Sequence, residues 1–174
     1  MSHLQHSPSQ LTLGEFIQIF GGVYEHSQWV AEAVWQKLHT SADVNCLDNV
    51  DALAHAMKTV VEASSREAKL RLLNAHPDLA GKAALAGELT QDSTAEQAGA
   101  GLDTCTEEEL AYFQQLNQAY KQRFGFPFIM AVKGATKFQI LDGFEERIQN
   151  SQEAEFAMAL SQVHRIAQFR LADK

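Results

Sequence analysis

Apolar side chains recur at three- and four-residue intervals through most of this chain, the period of a helix packed on one face. Val30, Val34 and Leu38 form one stripe in the segment 24–38, with Trp29 beside them. Val50, Leu53, Met57 and Val61 repeat it across 47–62, and Leu72 and Leu73 mark the buried side of the next segment. After a central interruption come Leu110, Phe113, Leu116 or Asn117, Tyr120 and Phe124. Leu141, Phe144 and Ile148 align within 136–149, and Phe156, Leu160, Val163 and Ala167 within 152–170. No run alternates apolar and polar residues as a half-buried strand would. Pro8, Pro77 and Pro127 are the only prolines, so helices can run unbroken elsewhere. The pattern predicts an all-α fold, a single-domain irregular helical bundle of about seven to nine helices. Residues 1–10 are polar and read as a flexible terminus. Residues 11–174 read as one domain, because no repeat, low-complexity tract or linker divides them.

Local signals place the helix starts. Thr12 with Glu15, Ser64 with Glu67, Ser93 with Glu96 and Thr106 with Glu109 all have capping-box spacing. Gly21-Gly22 ends the first helix, 40–45 is a polar loop, and Gly99 and Gly101 close the short helix that Ser93 opens.

Two stretches abandon the helical period. Residues 73–102, LNAHPDLAGKAALAGELTQDSTAEQAGAGL, place individual groups instead of repeating. There His76 precedes Pro77, which pushes it out of the helical region, so it sits at a helix exit. Residues 124–132, FGFPFIMAV, are apolar, interrupted by a proline and too short for a domain helix. They read as extended or irregular and buried, so their peptide groups need partners.

Charge narrows the function classes. Lys+Arg 14 against Asp+Glu 22 gives a net charge of -8, which argues against nucleic acid as the main partner. A small anionic substrate remains open, since one arginine in a pocket outweighs the global field locally. Cys46 and Cys105 have no zinc-ligand spacing and read as free thiols in a reducing compartment. Neither a signal peptide nor an apolar run long enough to cross a membrane is visible. The cytoplasm is therefore the expected location.

No phosphate loop, HExxH, GxSxG or metal cluster occurs, so candidate chemistry must come from position. His76 can cap the last carbonyls of a helix or handle a proton. Glu96 can reach back to the Ser93 amide, or act as an oriented carboxylate near the positive end of a helix. Arg147 can cover apolar surface with its stem or hold an anion. Glu25 and His26 are equally ambiguous. On these clues a small-molecule enzyme competes with a helical protein-interaction or regulatory domain without catalysis.

The motifs taken in order say more. They are FGGVYEHS at 20–27, HPDLA at 76–80, STAEQAGAGL at 93–102 and FGFPFI at 124–129, then Gly134, RIQN at 147–150, Glu155, and IAxxRL at 166–171. Together they resemble the 2-oxo-4-hydroxy-4-carboxy-5-ureidoimidazoline (OHCU) decarboxylase family across residues 11–171. The resemblance implies an all-α enzyme of urate degradation that needs no cofactor or metal and is typically a homodimer. It implies decarboxylation of OHCU to S-allantoin and CO2. By the same resemblance His76 and Glu96 are catalytic, and Arg147 and Ser93 bind substrate. Pro77 and the backbone of Phe128, Ile129, Met130 and Ala131 would line the pocket. Ile148 stands where the family often has leucine, and Gln28 where it often has proline; neither change touches the chemistry. The closing Ala172-Asp173-Lys174 differs from the peroxisomal address of animal members and fits a bacterial cytoplasmic protein. The expected partners are a small-molecule substrate and a second copy of the chain, with no nucleic acid and no membrane.

Overall fold

A computed structural model of the chain describes residues 4–40 and 44–174. Among the described residues are nine α-helices, three short 3-10 turns and no β-strand, so the fold is all-α. The helices are α1 (Leu13–Phe20), α2 (Trp29–Thr40), α3 (Val50–Glu62), α4 (Arg66–Asn74), α5 (Lys82–Ala86), α6 (Gln91–Gly99), α7 (Glu107–Phe124), α8 (Lys137–Arg147) and α9 (Gln152–Ala172). The polar loop expected at 40–45 lies partly outside the described residues.

Helix starts follow side-chain chemistry more closely than motif spacing. Thr12 and Glu15 form the expected full box at α1, and Thr136 and Gln139 form one at α8. Thr106 caps α7 by accepting from the Glu109 N–H, while the Glu109 carboxylate lies 2.6 Å from Lys137 Nζ. The Ser64–Glu67 box is not made. Ser65 caps α4 by accepting from the Ala68 N–H at 3.1 Å, and Ser64 donates back to the Val61 carbonyl of the preceding helix. Helix α2 begins at Trp29, later than Tyr24. Residues 24–28 instead make a turn in which Ser27 N–H bonds Tyr24 O and His26 has φ 47°.

Packing groups the chain into two compact units: Met1–Ala75 with His164–Lys174, and His76–Val163. In the first, α2 packs against α1 and α3. The striped positions Val30, Val34, Leu38, Leu53, Met57 and Val61 are all 1 % exposed or less, as their period requires. Ahead of α1, in the stretch read above as flexible, Ser9 donates its N–H and its hydroxyl to the Asp48 carboxylate at 2.9 and 2.6 Å. Glu25, ambiguous from sequence, forms a buried ion pair with Arg170 at 2.6 Å.

The first unit also contains a three-member polar chain. Tyr24 Oη lies 2.8 Å from His164 Nδ1, and His164 Nε2 lies 2.9 Å from Glu62. A carboxylate can only accept, so Nε2 carries the hydrogen and a neutral ring accepts from the Tyr24 hydroxyl. Burial pushes the His164 imidazole below its ordinary 6.5 against the opposing pull of Glu62, and Lys58 and Lys69 push it the same way as burial. The hydrogen bond with His164 holds Glu62 below its ordinary 4.5. Both groups take up protons more readily when unfolded, so stability is lost as pH falls through 6.5 and then through 4.5. The unfolding temperature followed by circular dichroism is therefore expected to drop between pH 7 and pH 5. His164→Gln should flatten that slope, and an unchanged slope in the variant would remove His164 as its source.

In the second unit α7 contacts α8. Phe113, Asn117, Tyr120 and Phe124 form the buried face of α7. Gly125, at φ 79°, ends that helix in the left-handed conformation that glycine adopts without strain. The chain then runs irregular and mostly buried through 126–132, as expected. Phe128 and Phe144 stack at 3.8 Å, and Tyr120 meets both rings edge-on. Such pairs each add about 0.5–1.5 kcal/mol beyond area burial.

Candidate active site

His76 lies two residues past the end of α4 and is buried at 9 % exposure. The turn that follows it is clamped. Gln97 on α6 donates to Asp78 O at 3.2 Å and accepts from the Ala80 N–H at 3.0 Å. Asn117 on α7 donates to Leu79 O at 2.8 Å, and Lys121 pairs with Asp78 at 2.7 Å. Ala80 is held at φ 50°, a conformation that costs energy in any residue with a Cβ. At position 81 a Cβ would meet Asp78 Cβ at 2.5 Å, which only glycine avoids. Backbone strain and two buried amides thus serve the segment that carries His76 and the half-buried Pro77.

Helix α6 carries Ser93 and Glu96 and is fastened to this turn by Gln97. Spacings of three and four put Ser93, Glu96 and Gln97 on one helix face, and Gln97 fastens that face to residues 78 and 80. Ser93 and Gln97 are buried and Glu96 is half-buried. The Ser93–Glu96 capping box is absent. Thr90 is the N-cap, its hydroxyl accepting from the Ser93 N–H at 3.3 Å, so the helix opens one turn earlier. Glu96 therefore lies in the second turn of α6 instead of at its start.

Arg147 closes α8 and is 8 % exposed, so it is not a solvated arginine covering apolar surface. Its Nε lies 3.1 Å and its Nη2 3.0 Å from Glu155 Oε2, and its Nη1 donates to Ile129 O at 2.7 Å. The guanidinium also sits over the Phe128 ring, 4.3 Å from its centroid. Glu155 is fully buried and accepts further bonds from the Tyr120 hydroxyl and from Asn150 Nδ2. Burial pushes this carboxyl up, but the bonds from Arg147, Tyr120 and Asn150 outweigh it and hold the group below its ordinary value. The Tyr120 phenol is raised, by burial first and by its bond to Glu155 second, and stays a donor. A guanidinium has five N–H groups; among the described residues the bonds to Glu155 and Ile129 engage three, and the Tyr120 oxygen also takes a hydrogen-bonding contact from Arg147.

The predicted residues thus fall into two neighbourhoods of one unit. His76, Pro77, Ser93 and Glu96 share the clamped turn and α6, while Arg147, Phe128 and Ile129 share the buried ion pair. Helix α7 bonds to both, through Asn117 to Leu79 and through Tyr120 to Glu155. Ile129 O is already engaged by Arg147, and Ala131 N–H by Gln162 Oε1 at 3.0 Å, while Met130 is half-buried. Sequence reasoning assigned no functional role to Gln97, Asn117 or Tyr120, reading the last two only as positions of an apolar stripe, and knew Gln97 and Glu155 only as parts of motifs. A groove of about 780 Å³ lined by Asp78, Gln114, Asn117 and Lys121 does not include His76, Glu96 or Arg147 in its wall. Among the described residues no three His, Cys, Asp or Glu side chains converge as a metal centre would require.

This all-α scaffold buries a guanidinium–carboxylate pair and holds the turn after His76 in a strained conformation. The family model for OHCU decarboxylase matches residues 9–172 of it. A 2-oxo-4-hydroxy-4-carboxy-5-ureidoimidazoline decarboxylase of Haloferax volcanii is 45% identical over 159 residues, spanning 91% of this chain and 88% of that protein. Its counterpart in Halalkalicoccus jeotgali is 40% identical over 158 residues, 91% of this chain and 84% of that one. A crystal structure of (S)-allantoin synthase superposes with a TM-score of 0.72 at 38% identity over 95% of this chain, which spans 52% of that longer one. The chain belongs to the OHCU decarboxylase family.

Proposed function

We infer that this chain decarboxylates OHCU to S-allantoin and CO2, using no cofactor. The observation that supports this most is the buried Arg147, oriented by Glu155 and Ile129, in a chain matched to the family over residues 9–172.

The substrate explains why side chains suffice. OHCU carries a carboxylate and a hydroxyl on one ring carbon, beside a C=N carbon that bears the ureido group. When the bond to CO2 breaks, its electron pair forms a double bond between the two ring carbons. The C=N pair moves onto nitrogen, which takes a proton. The substrate is its own electron sink. The enol so formed loses its hydroxyl proton, and the ureido-bearing carbon gains one. Delivery to a single face yields one enantiomer.

Each residue has a part in this sequence. The guanidinium of Arg147 holds the ureido or ring carbonyl, so that the grip does not oppose departure of CO2. His76 takes the hydroxyl proton, since an imidazole exchanges protons near neutral pH. Glu96 holds ring N–H groups and repels the departing carboxylate. Ser93, Pro77 and the 128–131 backbone shape the pocket. Following the family's usual form, we take the working protein to be a cytoplasmic homodimer. Sedimentation at the monomer mass would remove the second half of that statement.

The direct test mixes the purified chain with urate, urate oxidase and hydroxyisourate hydrolase. Faster decay of the OHCU signal and a dextrorotatory product are expected. A helical interaction domain would change neither. Arg147→Lys keeps the charge but loses the planar fork, so KM for OHCU should rise about ten- to hundredfold. An unchanged KM would take Arg147 out of the pocket.

A further inference from the structure

We propose that Asn117 and Tyr120, one turn apart on α7, are positioning residues that set the spacing between His76 and Arg147. Asn117 Nδ2 donates to Leu79 O, three residues beyond His76, at 2.8 Å. The Tyr120 hydroxyl donates to Glu155, whose carboxylate holds Arg147 at Nε and Nη2. Side chains three apart on a helix are about 5–6 Å apart at Cβ and share a face, so α7 is a short rigid ruler between the two neighbourhoods.

Net stability is a weak reason for an amide at Asn117. The residue is 3 % exposed, and its Oδ1 has no hydrogen-bond donor among the described residues. A buried acceptor left unpaired opposes folding, and this offsets part of what the bond to Leu79 O contributes. What the amide does supply is a directional hold on the turn, shared with Gln97, whose bonds to Asp78 O and Ala80 N grip the residues on either side of Leu79. Tyr120 repeats the logic at the other end. Its ring packs edge-on against Phe128 and Phe144 as a phenylalanine would, so the hydroxyl is the part committed to Glu155. Proton handling at His76 and grip at Arg147 act on one small heterocycle, and displacement of a reacting group by about 1 Å can cost about a hundredfold in rate.

This inference rests on the decarboxylase reading, and its test separates the two. Asn117→Leu is expected to lower kcat about ten- to hundredfold with KM nearly unchanged, because only the His76 side shifts. Tyr120→Phe is expected to raise KM by about tenfold with kcat nearly unchanged, because only the Arg147 side loosens. A purely structural role would lower active protein and leave both constants of the folded fraction alone. Circular dichroism checks folding, and Asn117→Ser replaces Asn117→Leu if the latter does not fold. Nitrogen-15 NMR supplies a readout independent of turnover. The His76 ring signals should move in the Asn117 variant and the Arg147 Nε–H signal in Tyr120→Phe. If neither signal moves, or kcat and KM stay parental in both variants, the ruler is refuted. If the parental chain leaves OHCU untouched, the decarboxylase reading falls, and the two NMR signals alone decide the geometry.

Discussion

Glu155→Ala is expected to cost about 3–5 kcal/mol of folding stability, because it strands a buried guanidinium without its counter-charge. The carboxylate is fully buried and binds Arg147, Tyr120 and Asn150 at once. Removing it leaves Arg147 with the Ile129 carbonyl and the Phe128 face. For a domain of this size the loss corresponds to a fall in unfolding temperature of about 6–20 °C. That is a large part of the roughly 5–15 kcal/mol a folded domain has. A double variant identifies the cause. Arg147→Met with Glu155→Leu removes both charges and fills the space with apolar atoms, a change that is often neutral for stability. It should recover most of the lost unfolding temperature and none of the turnover. Recovery of turnover would mean that Arg147 and Glu155 only hold the fold together. Failure to recover stability would mean that the Tyr120 and Asn150 bonds, and not the unpaired charge, carry the cost.

That ion pair marks where the sequence stops being readable. The helices follow from a period: Val30, Val34 and Leu38 could hardly face anywhere but inward, and they do. The irregular buried stretch at 126–132 follows from Pro127 and the density of apolar residues around it. Arg147 lies on the flank of a stripe, and flank arginines are usually solvated, so its burial depends on a partner. Glu155 is eight residues away beyond a helix break, where no local rule pairs side chains. Asn117 left a trace, as the polar alternative to Leu116 in an otherwise apolar register, but a trace does not name the carbonyl it holds. Ser93 was misplaced because a hydroxyl three residues before a glutamate is common. Thr90, which spacing did not single out, caps α6 instead, from an extended backbone at φ -60° and ψ 160°. His76, Glu96 and Arg147 were named from the motifs they sit in, since each has an ordinary structural use that local physics favours.

His76→Ala tests the chemistry where Glu155→Ala tests the scaffold, and the two should leave opposite signatures. Loss of a positioned acid–base group is worth about 10²–10⁴ in rate. The variant is therefore expected to keep its helical circular dichroism and most of its substrate affinity while kcat falls by that factor. Glu96→Ala, from the half-buried face of α6, should behave alike. On the proposed mechanism catalysis should not vanish, because the imine sink belongs to the substrate and Arg147 would still orient it. The residual product carries the sharper information. If His76 manages the proton whose placement decides the stereocentre, the slow variant should release allantoin of lowered optical purity, read by the circular dichroism of the product. A variant that is slow but fully stereoselective would leave His76 on the hydroxyl and assign the final proton to another donor. One that matches the parental rate would reduce the histidine to a helix-end group, and the clamped turn with its left-handed Ala80 would then have nothing to hold in place.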